Sequence, residues 1–224
     1  MSNKNVKILV LFYSFSGNTA KLAKYVAEGA ASVADTTVAV RQVPELLAPE
    51  FFSDKPELKK LRNSLDAEYP LATIDDLLDA DGVLFGTPVH FGSFASQLKQ
   101  FIDQLTSAWL QGKLVNKPAS VFCSGGSMHG GDETTLASLM TPLITLGMIP
   151  VGIPYPIQGE SPDFDAGSPY GAIFVASHEG REVPVADKKV ARILGVRLAT
   201  MTRLLNCDCA SCEGCRERMK KALN

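Results

Sequence analysis

Short, almost continuously apolar runs alternate along this chain with stretches whose apolar positions recur at helical spacing. Residues 6–13 are apolar nearly throughout, the pattern of a parallel strand covered on both faces. Residues 19–33 place Leu22, Val26 and Ala30 on one helical face, and 36–43 have the β-branched content of a second strand. Residues 44–80 are more polar and read as a surface excursion with a helix near 57–65. A third buried strand over 82–87 stops at Pro88, and Ser93 or Ser96 caps a helix running to about Leu110. A fourth strand covers 119–123. A helix opens at Asp132 or Thr134 and runs to about Leu146, followed by a short fifth strand at 149–151. Residues 154–171 are rich in proline and glycine and read as a long loop. An amphipathic helix over 187–205 follows.

Strands alternating with helices specify an α/β fold with a parallel sheet and right-handed crossovers. Five strands fit the doubly wound order 2-1-3-4-5. Ligands then bind beyond the carboxyl ends of the strands, at the switch between the first and third. The loops after the first, third and fourth strands should converge there, and these three are the unusual loops of the sequence.

The first loop is Ser14, Phe15, Ser16, Gly17, Asn18 and Thr19. Hydroxyls, a glycine and backbone N–H groups here meet the positive end of a helix, which suits a phosphate dianion. It has neither the Gly-Lys-Ser/Thr ending of a Walker loop nor the Gly-x-Gly-x-x-Gly dinucleotide fingerprint. A plain strand-to-helix turn with a cap would use the same residues. The second loop, Pro88, Val89, His90, Phe91 and Gly92, must leave the sheet sharply and can offer backbone groups to the edge of a flat heterocycle. It can equally be an ordinary strand exit. The third, Ser124, Gly125, Gly126, Ser127, Met128, His129 and Gly130, is rich in glycine, which lets a backbone approach a ligand closely. Trp109, the only tryptophan, stands near the end of the helix after the second loop. It can cover a ring or pack in the core.

A net charge of −2 gives no reason to expect nucleic acid or an anionic membrane surface as partner. No apolar run approaches a membrane span, and the first apolar run reads as a strand rather than a signal peptide, so a cytoplasmic protein is expected. Of five cysteines, Cys123 stands alone at a strand end and reads as a packing residue. Cys207, Cys209, Cys212 and Cys215 cluster near the C-terminus. Four thiolates at that density could hold zinc or an iron–sulfur cluster, although Cys-x-Cys is tighter than structural zinc spacing, and a mobile tail with reactive thiols is the alternative. The chain thus divides into one domain over 1–205 and a cysteine-rich tail over 206–224.

Residues 7–205 resemble the tryptophan-repressor-binding-protein (WrbA) family of NAD(P)H:quinone oxidoreductases, a branch of the flavodoxin-like proteins. The resemblance rests on the first strand with its Ser-x-x-Gly loop, Val43-Pro44-Glu45, Phe85-Gly86-Thr87-Pro88, Phe91-Gly92 and Phe101-Ile102-Asp103-Gln104. Trp109, the Ser-Gly-rich fourth-strand loop, Gly147-Met148 and Pro169-Tyr170-Gly171-Ala172 complete it. It implies a flavodoxin-like FMN-binding domain, a homotetramer, and two-electron reduction of quinones by NADH or NADPH. Carried over by position, Ser14 to Thr19 hold the FMN phosphate and Val89, His90 and Phe91 lie along the isoalloxazine. Ser124 to Gly130 wrap its other edge, and Trp109 lines the substrate face.

Three positions depart from the pattern. Ser16 stands where family members commonly carry an aromatic, His90 where they often carry arginine, and Thr145 where they often carry a histidine that reaches a neighbouring subunit's flavin. An alternative function, an FMN electron carrier or iron–sulfur flavoprotein, would use the terminal cysteines. A non-enzymatic binding module finds no support, because no basic patch or DNA-binding motif is present.

Overall fold

The computed structural model describes residues 5–155, 166–176 and 181–206. Its elements, in chain order, are β1 (Val6–Phe12), α1 (Asn18–Ala31), β2 (Thr36–Gln42), a 3-10 turn (Pro49–Phe52), α2 (Pro56–Glu68), α3 (Ile74–Asp79), β3 (Gly82–Pro88), α4 (Ser96–Asp103), α5 (Thr106–Leu110), β4 (Pro118–Gly125), α6 (Asp132–Thr145), β5 (Ile149–Pro150), β6 (Gly171–Val175) and α7 (Val185–Leu205). The strands pair in parallel in the order β2-β1-β3-β4-β5, as the alternating pattern requires.

Each central strand feeds two cores. Along β1, Ile8, Val10 and Phe12 pack with Leu22 and Val26 of α1 and Leu194 and Leu198 of α7. Leu9, Leu11 and Tyr13 point the other way, toward Leu98 of α4 and Leu136 and Leu139 of α6. This alternation explains why the run is apolar throughout. On the first face α1 and α7 approach through glycines. A Cβ on Gly29 would lie 2.1 Å from the Arg192 carbonyl oxygen, and one on Gly195 would lie 2.1 Å from that of Val26.

Two elements differ from the sequence expectation. The fifth strand position is shared: β5 pairs with Pro118 and Ala119, while β6 continues the same edge alongside Val121 to Gly125. Its apolar residues Ala172 and Phe174 fill the α1–α7 core. The helix expected up to Leu110 is broken into α4 and α5. Gln104 and Leu105 donate to Phe101 and Ile102 in a tightened turn, the Thr106 hydroxyl takes the Asp103 carbonyl at 3.2 Å, and Leu105 turns into the core.

Candidate functional site

The loops after β1, β3 and β4 meet beyond the carboxyl ends of those strands and tie to one another. The Thr19 and Ser124 hydroxyls share a buried hydrogen bond of 2.8 Å, linking the first loop to the third. The Val89 amide donates to the Ser124 carbonyl at 2.8 Å, linking the second to the third. The second and third loops also touch backbone to backbone: a Cβ on Gly131 would sit 2.9 Å from the Gly92 Cα.

Between them lies a cleft of about 390 Å³, within the ~300–1,000 Å³ range of small-molecule sites. Phe15, Ser16 and Asn18 form one wall; Pro88, Val89 and His90 another; Ser124, Gly125, Gly126 and Ala176 the third. Ser14 and Thr19 are buried behind the first wall, and the Ser14 hydroxyl accepts from the Ala20 amide at 3.2 Å. Helix α1 begins here with Gly17 supplying no side-chain cap and no acid in its first turn. Apart from the Ala20 amide taken by Ser14, its positive end meets no acidic side chain or N-cap bond, which leaves it suited to an anion.

His90 and Ser93 exchange backbone hydrogen bonds of 2.9 and 3.1 Å around a two-residue turn. Phe91 (φ 53°) and Gly92 (φ 75°) both lie in the left-handed region, the geometry of a type I′ hairpin. Phenylalanine is a strained choice there, and its ring stands fully in solvent beside the cleft.

Under the second loop the Tyr13 hydroxyl donates to Glu45 Oε2 at 2.7 Å. Gln97 Nε2 donates to Glu45 Oε1 at 2.8 Å and to the Tyr13 hydroxyl oxygen at 3.0 Å. Burial alone would raise Glu45, but these bonds and the Leu47 and Leu46 amides outweigh it and hold the carboxylate below its usual range. His90 sits edge-on to Tyr13 and Phe15 at 6.4 and 6.5 Å. Burial lowers its pKa against the pull of Glu45, which favours the neutral imidazole. Cys123 is buried, its thiol donates toward the Asp132 carbonyl at 3.7 Å, and burial pushes its pKa up. It packs as a neutral group.

The remaining residues singled out from sequence fall elsewhere. Ser127, Met128, His129 and Gly130 are exposed and off the cleft wall. Met128 instead borders a second cavity with Asp132, Glu133 and Asp187. Trp109 lies in a third cavity, an apolar groove of about 650 Å³, with Phe94, Ile102, Pro142, Thr145 and Leu146. Sequence reading missed Ala176, which follows the apolar run of β6; that run was the available signal. Cys207, Cys209, Cys212 and Cys215 lie outside the described residues. Among the described residues no group of three or more His, Cys, Asp or Glu side chains could hold a metal ion. Among them, too, no helix is long and apolar enough to cross a membrane.

The family model described as NADPH-dependent FMN reductase matches residues 6–162.

The chain belongs to the NADPH-dependent FMN reductase family.

A relative within reach of this family member, from Solidesulfovibrio magneticus, is named NAD(P)H dehydrogenase (quinone). It is 39% identical over 203 residues, covering 89% of this chain and 99% of the relative. Among solved structures, a flavodoxin described as WrbA-like, from Agrobacterium tumefaciens, superposes with a TM-score of 0.61 at 22% identity, covering 88% of this chain and 98% of that one. An NADH:FMN oxidoreductase in its apo form gives 0.54 at 22% identity, covering 92% of each. These likenesses place the family member in the flavodoxin-like fold.

Proposed function

We propose that this protein is an FMN-dependent NAD(P)H:quinone oxidoreductase, with FMN in the three-loop cleft. One observation carries the reading: the cleft joins a helix N-terminus without an acidic residue in its first turn at one end to a slot between two backbone loops at the other. A phosphate needs the first and a flat heterocycle the second. The family and the quinone dehydrogenase named above agree with it.

When bound, FMN supplies the hydride chemistry, accepting from NADH or NADPH and delivering to the quinone. The protein's part is to bind and orient. Ser16 and Asn18 would offer side-chain donors to the phosphate from the cleft wall, and Ser14 and Thr19, buried behind it, would hold the loop backbone that faces it. Pro88, Val89 and His90 line one side of the slot, and neutral His90 can offer a ring N–H without adding charge. Ser124, Gly125 and Gly126 line the other, where small residues leave the backbone open to the ring. No side-chain nucleophile is required.

The reading treats residues 1–205 as one FMN-binding domain and 206–224 as a tail. The apolar groove holding Trp109 and the exposed Leu110, Ile144 and Val115 support self-association as a tetramer, which sedimentation of the full chain would test. A second reading, an electron carrier with zinc or an iron–sulfur cluster on Cys207, Cys209, Cys212 and Cys215, rests on the density of thiols. Protein purified anaerobically without iron, zinc or sulfide would remove it.

The main test is anaerobic mixing of the FMN-loaded protein with NADH or NADPH. The flavin absorbance should bleach and return on adding a quinone. Failure of both donors to bleach it would sink the proposal.

A further inference from the structure

The polar excursion after β2 reaches back to the first loop through one buried arginine. Arg62, on α2, is 7% exposed. Its Nη1 donates to the Ser14 carbonyl at 3.0 Å, and its Nη2 donates to Gln42 Oε1. Its Nε and Nη2 donate to Asp66 Oδ1 at 3.3 and 2.9 Å, and Glu45 lies 4.0 Å from Nη1. The planar fork is thus committed in several directions at once, which lysine could not reproduce. The same helix braces the loop a second time. Leu61 lies against Gly17, where an added Cβ would be 3.3 Å from Leu61 Cδ1. Phe51, in the turn before α2, meets Phe15 edge-on at 6.3 Å.

The direction of the Ser14 carbonyl matters to an anion. A peptide C=O turned toward a phosphate repels it, whereas one turned away leaves the neighbouring N–H groups facing inward. Arg62 holds that oxygen on the α2 side, while the Ser14 hydroxyl is bound to the Ala20 amide on the α1 side.

We propose that Arg62 is a positioning residue that makes this site select the phosphorylated flavin: it fixes the Ser14 carbonyl away from the cleft, so the first loop presents donors to the FMN phosphate. Arg62 does not line the cleft and acts through the loop. The inference rests on the FMN reading above.

The test compares FMN with riboflavin, which shares the ring and lacks the phosphate. Flavin-free full chain, in wild-type and Arg62→Lys and Arg62→Gln forms, is titrated with each flavin and followed by flavin fluorescence. Both variants should weaken FMN binding about tenfold or more, the scale of a lost charge-assisted hydrogen bond. Riboflavin affinity should change less than about threefold on the same scale. Asp66→Asn, at a half-exposed position whose carboxylate accepts from the guanidinium and from Gln42 Nε2, keeps the question answerable should the Arg62 variants fold poorly. It should show a smaller loss with the same preference for FMN. Equal losses for the two flavins, or none for either, in the variants that fold would overturn the role of Arg62. Wild-type protein that binds FMN no better than riboflavin would instead overturn the phosphate site itself.

Discussion

The hydroxyls of Thr19 and Ser124 lie 2.8 Å apart in a buried hydrogen bond that spans 105 positions of sequence and closes the cleft at its base. Thr19→Val keeps the shape and removes the hydroxyl, leaving Ser124 without this partner. It should cost about 1–2 kcal/mol of stability. Ser124→Ala should cost a similar amount, and the double variant less than the sum. Urea unfolding of the four forms measures the coupling, and fully additive losses would show that the bond contributes nothing.

Gly125 faces Asp132 so closely that a Cβ there would lie 2.1 Å from Oδ1. Gly125→Ala should destabilise by about 1–3 kcal/mol, as overpacking does, and weaken FMN binding. Asp132→Ala introduced into the same chain should recover most of the stability. Thermal melts of the single and double variants decide it, and a double variant as unstable as the single one would place the strain elsewhere.

Phe91 holds a left-handed backbone while its ring gains no packing among the described residues. Asparagine tolerates that conformation, so Phe91→Asn should raise stability by roughly 0.5–1 kcal/mol. It should lower kcat/KM for quinone reduction if the ring guides substrate into the cleft. Unfolding midpoints and steady-state rates check the two halves, and a variant with unchanged stability would show that the turn is relaxed.

Asp132 is almost fully buried, its Oδ1 has no hydrogen-bond partner among the described residues, and burial with the nearby Glu133 raises its pKa from 3.8 to about 6. The folded form therefore resists ionisation that the unfolded chain allows. This group's contribution to stability is present below about pH 4 and is lost as pH rises to about 6. Asp187, raised to about 6 chiefly by burial and held back by Arg181, adds a loss of the same sign. Asp132→Asn should flatten part of the decline and be more stable than wild type above that range by about 1–2 kcal/mol. Urea midpoints across the range test this, and parallel curves for the two proteins would refute it.

The sheet order and the meeting of the three loops were legible because fully buried strands announce themselves as unbroken apolar runs, and their order fixes which loops converge. Residues 172–175 are as apolar as such a run, but they follow a proline- and glycine-rich stretch and extend an edge that 149–151 had already claimed. The break between α4 and α5 depends on the Thr106 hydroxyl taking a local carbonyl, a choice that helical spacing does not encode. Glycine content marked the third loop as permissive without giving its direction, so Met128 was read toward the cleft and points to another cavity. Arg62 was invisible for a different reason. Its helix is polar, and only the packed structure shows which one of its charged side chains turns inward.

The glycine crossing of α1 and α7 sets the order in which the site can be completed. Helix α1 carries the first loop at its N-terminus, and its back rests on Arg192 and Gly195. During synthesis the loop leaves the ribosome early and its support leaves late. The nascent chain therefore holds the first loop braced from the α2 side alone until α7 has emerged.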